Sequence, residues 1–425
     1  MSGADRERLD ALLRSCVECA LCLPHCATYL ATGDESNSPR GRLLLLREVL
    51  ERPDGPDDGI WAAFDLCLGC RACETACPSG VPYDLLDAAK GLADAALGPP
   101  DGPLVRHLSS RPVLRTLRLA GRAARALLTA LLGGTWRRRL AGGPARRLAR
   151  PLGSLPASPG DAALVARLDR LTGTDTPADA RPGRLPARGR AAVLFAGCAN
   201  RDLMPEAQRR LRELLGAAGV DVAEPAGQDC CGALAAHTGA SHVARARQAR
   251  NIAALTGPVG EAGTLLVEAA GCGLELGAYP APIADRVVDA AVCLADLPLP
   301  SLREVPLRVA YHDPCHARHG LGIVDAPRRA LARIPGLEVV EPEEADVCCG
   351  SGGAYALLHP ELSEAMGRRK AANLADTGAD LVVTSNPGCL GQIRDALLIV
   401  APALPVLSLS DLLWYASLTS TPDKT

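Results

Sequence analysis

The chain has 425 residues, of which 48% are apolar and 3% aromatic, and its formal net charge is −2. This length suits roughly two to four domains with buried cores, and the absence of a basic, aromatic-interleaved motif argues against nucleic-acid binding. The polar N-terminal residues and the short, proline-broken apolar stretch Ala396–Ser410 predict neither a secretory signal nor a membrane span, and so a cytoplasmic protein.

Two closely spaced cysteine runs stand out in residues 1–95. The runs share the pattern Cys-x2-Cys-x2-Cys-x3-Cys and comprise Cys16, Cys19, Cys22 and Cys26, then Cys67, Cys70, Cys73 and Cys77. This spacing resembles that of bacterial two-cluster ferredoxins, in which the fourth cysteine of each run binds the other cluster. We therefore predict an α-helical ferredoxin-like domain with two [4Fe–4S] clusters. One cluster is assigned to Cys16, Cys19, Cys22 and Cys77, and the other to Cys67, Cys70, Cys73 and Cys26.

Zinc and disulfides are the alternatives for these cysteines. A structural zinc site takes four ligands, usually from two separated pairs, so four cysteines within eleven residues, twice, exceed that need. Disulfides are rare in proteins that lack an export signal. Iron–sulfur ligation is therefore the preferred interpretation.

Residues 96–190 separate this domain from the rest of the chain. Residues 101–150 contain twelve arginines and one acidic residue, which leaves this stretch at about +11 and the remainder at about −13. Arginines at positions 111, 115, 118, 122 and 125 predict the basic face of an amphipathic helix. Such a face suits peripheral contact with an anionic membrane or with an acidic partner, although a solvated helix is the alternative. Residues 151–190, rich in Pro, Gly, Ala and Asp, indicate a linker or an irregular excursion of the chain.

From residue 191 the pattern becomes α/β, because short apolar runs alternate with amphipathic stretches. The predicted strands are Ala191–Phe195, Thr264–Val267, Arg308–Tyr311 and Leu381–Thr384, and the predicted helices are Glu206–Ala218, Val243–Leu255 and Leu362–Asp376. The predicted fold class is α/β overall, with the N-terminal helical domain followed by two repeated cysteine-rich domains, residues 191–300 and 301–425.

An internal repeat of cysteines defines these two domains. Each copy has one cysteine, then an adjacent pair followed by glycine, then a fourth cysteine, with intervals of 31 and 40 residues in the first copy and 32 and 39 in the second. Ligands of open α/β sheets gather at the carboxyl ends of the strands, so two facing copies would line one cleft. We predict a cofactor or redox site there, with core packing of thiols as the alternative. Its residues are Cys198, Cys230, Cys231, Cys272, Cys315, Cys348, Cys349 and Cys389, whereas Cys293 is expected to be structural.

The repeats resemble the CCG-type cysteine-rich domains of heterodisulfide reductases, and the chain resembles the iron–sulfur subunits of glycolate oxidases. The resemblance covers nearly the whole chain outside residues 96–190 and rests on the segments Ser38–Arg42, Gln228–Leu234, Tyr311–His316, Cys348–Gly353 and Ser385–Cys389. The fuller CCG motif ends in Cys-x2-Cys, but here Glu275 and Gln392 replace the last cysteine. This departure disfavours a non-cubane catalytic cluster and leaves a third cubane-type centre or a metal-free thiol site open.

The resemblance implies an electron-transfer subunit. A partner subunit would bind FAD and oxidise glycolate or a related 2-hydroxyacid, and this chain would pass electrons toward a membrane quinone or another respiratory-chain acceptor. No catalytic residue is expected here, and no dinucleotide fingerprint follows a strand, so FAD belongs to the partner alone. The alternatives are a heterodisulfide-reductase-like enzyme acting at the CCG cleft and the iron–sulfur subunit of an anaerobic glycerol-3-phosphate dehydrogenase.

Three histidines lie close to the repeat cysteines in the sequence: His237, His312 and His316. A histidine in such a place can bind metal, donate a proton to a reduced acceptor or donate a hydrogen bond to sulfur. Near a metal centre, hydrogen bonding to the ligands is the commoner role, so we expect that role here.

Overall fold

The structure is a computed structural model, and it describes residues 10, 13–51, 58–82, 110–132, 157–186, 189–238 and 240–419. The N-terminal domain is helical and contains α1 (Ala27–Thr32), α2 (Pro39–Glu51), α3 (Asp58–Asp65) and α4 (Ala72–Thr75). Its core forms where one apolar face of α2, including Leu46, packs on Ile60, Trp61 and Phe64 of α3. The two cysteine runs flank this small core.

The segment Ser38–Arg42 shows why α2 begins where it does. The Ser38 hydroxyl accepts a hydrogen bond from the Gly41 amide (2.9 Å), which caps the helix, and Pro39 occupies the first turn, where its missing N–H is tolerated. A Cβ atom at Gly41 would lie 1.9 Å from the Glu35 carbonyl oxygen, so only glycine fits. Arg42 then points into the domain core and is 1% exposed.

The predicted basic helix is present as α5 (Arg111–Leu132). Leu114 is buried against the first cysteine-rich domain, and Arg115 forms an ion pair with the buried Asp202 (3.2 Å). The helix thus packs at its N-terminal end on the domain that follows. In the described part of the chain, no helix is both long enough and apolar enough to cross a membrane.

The prediction of a linker over 151–190 is wrong for its central part. Helix α6 (Asp161–Thr172) lies there, and its Leu164 and Leu168 are fully buried in the main hydrophobic core. The Asp169 carboxylate of the same helix accepts hydrogen bonds from Tyr415 (2.7 Å) and Thr176 (2.6 Å). Strand β1 (Arg181–Pro182) then pairs with the final strand of the chain. The composition of this stretch suggested a linker because prolines and glycines on both sides of one short amphipathic helix dominate it.

The first cysteine-rich domain is a four-stranded parallel sheet in the order β3-β2-β4-β5. Its strands are β2 (Arg190–Phe195), β3 (Val220–Ala223), β4 (Leu265–Val267) and β5 (Val287–Asp289). Its helices are α7 (Ala199–Asp202), α8 (Pro205–Ala217), α9 (Ala233–Ala236), α10 (Ser241–Ala262), α11 (Ala270–Leu276) and α12 (Ala290–Asp296).

The second domain repeats this topology in the order β7-β6-β8-β9. Its strands are β6 (Arg308–His312), β7 (Glu338–Val340), β8 (Leu381–Thr384) and β9 (Val406–Ser408), and β10 (Leu418–Thr419) pairs with β1. Its helices are α13 (Asp325–Leu331), α14 (Tyr355–Leu358), α15 (Pro360–Asp376), α16 (Pro387–Val400) and α17 (Leu409–Ala416). The α/β prediction and the internal repeat are both confirmed.

The two domains share one core, so they form a single unit. Leu194 of β2 and Tyr311 of β6 belong to the same buried cluster, to which α8 and α17 also contribute. Across this core the fully buried Arg210 of α8 forms an ion pair with Asp411 of α17 (2.5 Å). Removing one partner of a buried ion pair is strongly destabilising, so the pair fixes how the domains meet.

Candidate functional site

The two N-terminal cysteine loops have the same unusual backbone. The second and fourth residues after the first cysteine have positive φ in both loops, at 56° and 68° for Glu18 and Ala20 and at 69° and 63° for Gly69 and Arg71. A left-handed conformation of a non-glycine residue costs about 1–2 kcal/mol. The loops therefore accept strain to hold one common shape around their three leading cysteines.

Five thiols from both runs line one surface cavity of about 40 Å³. Cys16, Cys19 and Cys22 of the first loop line it together with Cys77 of the second run, and Cys73 also reaches its wall. Cys19 is exposed, and the Val81 amide donates a hydrogen bond to the Cys77 sulfur (3.5 Å). This outer set contains the four residues that the spacing assigned to one cluster.

The second set surrounds the buried Cys26, and its other members, Cys67, Cys70 and Cys73, are half-buried. Burial raises the pKa of the Cys70 thiol well above its usual range, and the neighbouring thiols of Cys315, Cys26 and Cys73 raise it further. Burial likewise raises the pKa of Cys73, with added repulsion from Cys67 and Cys26. Cys26 therefore lies near Cys70 and Cys73 of the second run, and we call Cys26, Cys67, Cys70 and Cys73 the inner set.

The chemistry of these donors fits metal clusters. All seventeen cysteines of the chain lie in its described part, and each is a free thiol. Four sulfurs packed together repel one another as thiolates when no cation is present. The positive charge of a bound metal offsets this repulsion, and for that reason it also deprotonates coordinating thiols. Cys16, Cys19, Cys22 and Cys77 would hold one cluster, and Cys67, Cys70, Cys73 and Cys26 the other; the pairing stays a prediction.

All eight repeat cysteines line one cleft between the two cysteine-rich domains, with a volume of about 180 Å³. The cleft lies at the carboxyl ends of the central strands, where the strand order of each sheet reverses and where α/β proteins bind ligands. Cys198 follows β2, Cys272 follows β4, Cys315 follows β6 and Cys389 follows β8.

In the first domain the four sulfurs are in close contact with one another. Sγ of Cys231 lies 3.2 Å from Sγ of Cys272. Hydrogen bonds from the thiols of Cys198 and Cys231 lower the pKa of Cys230, with a smaller contribution from the charge of Arg247. The same contacts with Cys230 raise the pKa of Cys198 and of Cys231, and burial raises them further.

In the second domain the sulfurs have additional hydrogen-bond donors. The Gly350 amide and the Asn386 side chain donate to the sulfurs of Cys348 (3.5 Å) and Cys389 (3.4 Å), and the sulfurs of Cys315 and Cys348 are 3.7 Å apart. Lys370 lies near this group, is 2% exposed, and burial lowers its pKa while the thiols of Cys349 and Cys348 raise it. Sequence reasoning missed Asn386 and Lys370, because neither stands beside a cysteine pair.

A buried ion-pair cluster fixes the loop that carries Cys315. Asp313 is 2% exposed and accepts hydrogen bonds from Arg318 (2.7 Å) and from two nitrogens of Arg328 (both 2.9 Å). Residues His316–Gly320 then form a single π-helical turn, a feature frequent at functional sites.

The three histidines occupy different positions. The rings of His237 and His316 meet edge to face at 5.5 Å in the cleft, and Nε2 of His316 lies 3.0 Å from the Gly69 carbonyl oxygen. His312 is fully buried at the end of β6. Cys293 lies apart from both cysteine sets and packs against the main hydrophobic core, as expected of a structural residue.

The second N-terminal cysteine loop docks directly on the second cysteine-rich domain. Besides the contact of Gly69 with His316, the Leu66 carbonyl accepts from Tyr355 (3.2 Å), and Thr75 is 2.6 Å from His319. Leu68 of the loop also lines the cleft. The inner set therefore adjoins the cleft, whereas the outer set opens to the surface.

Comparison with known proteins places this arrangement in a family. Residues 12–81 match a 4Fe-4S dicluster domain, and residues 192–277 and 309–394 each match a CCG cysteine-rich domain. The dicluster match supports the predicted iron–sulfur clusters of the N-terminal domain.

Several curated relatives share these features. The chain is 31% identical over 411 residues to a probable glycolate oxidase iron–sulfur subunit of Bacillus subtilis, covering 92% of this chain and 90% of that one. It is 30% identical over 417 residues to the glycolate oxidase iron–sulfur subunit of Escherichia coli, with 91% of each chain covered. One subunit of the fumarate reductase (CoM/CoB) of Methanothermobacter marburgensis is 37% identical over 206 residues, which cover 48% of this chain and 41% of that one. The resemblance noted in the sequence is confirmed, and the chain belongs to the family of glycolate oxidase iron–sulfur subunits.

Proposed function

We propose that this chain carries electrons from the FAD of a partner subunit, which oxidises glycolate or a related 2-hydroxyacid, toward a membrane quinone or another respiratory-chain acceptor. When bound, the clusters accept and release one electron at a time. The chain's own residues hold them, place the inner set beside the cleft and position the outer set for a partner. The proposed boundaries are 1–95 for the cluster domain, 96–190 for the connecting segment that contains α5 and α6, and 191–300 and 301–425 for the two cysteine-rich domains, which share one core.

One observation carries the proposal: the outer and inner cysteine sets form a line from the surface to the cleft. Exposed Cys19 marks the surface end, and the contacts of the loop Cys67–Cys73 with the second domain mark the inner end. A protein that transfers electrons between partners needs an accessible site and a connected interior one, and this arrangement meets both needs.

The surface around the outer set supports partner docking at that end. Val17 and Leu21, in the first cysteine loop, are 66% and 54% exposed, and Leu44 of α2 is 41% exposed. Large apolar side chains exposed together are typical of interaction sites. Helix α5 offers a second contact, and its basic residues favour an acidic partner or the anionic inner face of the membrane.

A second candidate function is thiol–disulfide chemistry in the CCG cleft, of the heterodisulfide reductase type. It is favoured by the 3.2 Å separation of the Cys231 and Cys272 sulfurs and by the open volume beside them. The iron–sulfur subunit of an anaerobic glycerol-3-phosphate dehydrogenase is the third, and it differs in the flavoprotein partner alone.

Anaerobic mixing of the full chain with its flavoprotein tests the proposal. We expect glycolate to bleach the visible iron–sulfur absorption of this chain when the flavoprotein is present and to leave it unchanged when the chain is alone. Glycerol 3-phosphate and a disulfide substrate replace glycolate in parallel experiments, which test the two alternative functions. Bleaching by glycolate in the isolated chain, or no bleaching with the reduced flavoprotein, would contradict the proposal.

A further inference from the structure

The two cysteine-rich repeats differ at one position that faces their sulfurs. The last residue of the first strand, three residues before the first cysteine, is Phe195 in the first domain and His312 in the second. Their places in the sheets are equivalent, because Phe195 is in register with Val267 on β4 and His312 with Thr384 on β8. The fold therefore accepts a phenylalanine ring at this position and does not itself require a histidine.

The histidine in the second domain is unsatisfied. His312 is 0% exposed, and among the described residues neither of its ring nitrogens has a hydrogen-bond partner. Thr384, the neighbour of His312 on β8, is not its partner either. Its hydroxyl is buried and has no hydrogen-bond partner among the described residues. Burial of a polar ring without a hydrogen bond costs free energy that a phenylalanine would avoid. Such a residue needs an explanation, and ligation of an ion is one of the usual ones.

The surroundings of the imidazole supply that explanation. A ring nitrogen of His312 and the sulfurs of Cys349 and Cys389 all lie within 4.8 Å of one another, and all three residues are buried. Imidazole and thiolate together suit zinc and iron. In the first domain, the equivalent ring of Phe195 offers no donor atom, so this position cannot supply a ligand there.

We propose that His312 is a metal ligand and that, with Cys349 and Cys389, it gives the second cysteine-rich domain a mixed nitrogen–sulfur site that the first domain lacks. The metal is iron of an iron–sulfur centre or a zinc ion, the two whose ligand preferences match this set. Replacing a thiolate by a neutral imidazole removes one negative charge, which raises the reduction potential of an iron centre, as it does in His-ligated clusters. The site does not depend on which flavoprotein is the partner.

Nitrogen spectroscopy on the full chain tests the assignment without relying on activity. The protein is purified anaerobically from cells grown with ¹⁴N- or ¹⁵N-histidine, its iron and zinc are counted, and the reduced form is examined by pulsed EPR. If iron occupies the site, a nitrogen coupling that changes with the isotope is expected. If zinc occupies it, zinc-edge X-ray absorption should show imidazole together with sulfur.

Two variants complete the test. His312→Phe, which copies the first domain, should abolish the nitrogen signal, whereas His242→Phe, at an exposed histidine of α10, should leave it intact. The wild-type isotope measurement stands even if His312→Phe fails to fold. Zinc with sulfur ligands only would overturn the assignment, and so would zinc-free protein whose paramagnetic centres show no histidine coupling. So would a nitrogen signal that persists in folded His312→Phe protein.

Discussion

Replacing Arg42 by methionine should loosen the N-terminal domain. The buried guanidinium donates from Nε to the Ala63 carbonyl (2.6 Å) and from both terminal nitrogens to the Thr28 hydroxyl (3.3 Å each). A hydrogen bond to a charged group contributes about 1.5–3 kcal/mol, and the Ala63 carbonyl would be left buried without this donor. We count the Ala63 bond as one and the two longer Thr28 bonds together as another. At the lower end of the range, about 1.5 kcal/mol each, the loss is about 3 kcal/mol.

The assay is amide hydrogen exchange within α2 of the full chain, which reports local opening. A change of about 3 kcal/mol corresponds to roughly a 150-fold faster exchange. Arg47→Met, on the same helix, is the matched control, because Arg47 is 39% exposed and lies 3.7 Å from Glu18. An exposed pair contributes at most about 1 kcal/mol, so about five-fold or less is expected there. Equal acceleration in both variants would refute the reasoning.

The same substitution should act on the inner cysteine set. The Thr28 hydroxyl that Arg42 contacts lies 3.1 Å from the Cys26 sulfur. A nearby cation stabilises the more negative, reduced form of a centre, so its removal should lower the reduction potential. Redox titration of Arg42→Met against Arg47→Met measures this shift.

Three further outcomes are expected. Cys26→Ser should remove about four irons per chain, whereas Cys293→Ser should remove none, as measured by iron analysis. Burial raises the pKa of Glu268 to about 8 from an ordinary 4.5. Between pH 5 and 8 the folded chain therefore keeps a proton that the unfolded chain loses. The free energy of unfolding should fall by about 1 kcal/mol for each pH unit in that range. Glu268→Gln should flatten that slope in urea titrations. Asp313→Asn should cost about 3 kcal/mol in the same titrations because it removes the buried carboxylate that the partly exposed Arg318 and Arg328 share, and Asp325→Asn less than about 1.

Each of these outcomes can fail in a defined way. Full iron content in Cys26→Ser protein would contradict the crossed ligand assignment. An unchanged pH slope in Glu268→Gln would mean that another group dominates, with the buried Asp289, whose pKa burial raises to about 7, as the first candidate. Equal midpoints for the two aspartate variants would show that the Asp313 cluster adds little stability.

Much of this structure could be predicted from the sequence because its signals are local. The cysteine spacings indicated the N-terminal domain, and the matched intervals of the repeat predicted a shared cleft that the structure contains. The central strands were predictable because they are apolar runs buried on both faces. Strand β7 was missed, since it has three residues and is only partly buried.

Other features depend on contacts that no local pattern reveals. The left-handed backbone at Glu18, Ala20 and Arg71 was not predictable, because residues of these types rarely adopt it. The docking of Gly69 on His316 joins positions 247 residues apart. The approach of His312 to Cys349 and Cys389 follows from the register of β6 and β8, which the sequence alone does not set.

The contrast between the two N-terminal cysteine loops bears on how the protein is matured in the cell. The loop Cys67–Cys73 is held against the second cysteine-rich domain by Gly69, Leu66 and Leu68, whereas Cys19 remains open to solvent. A scaffold protein delivering iron and sulfide could reach the exposed loop after folding. To reach the enclosed loop it would have to act before docking or wait for undocking. We therefore expect the site beside the second cysteine-rich domain to be filled before docking, and oxidants to reach the site at the exposed loop first.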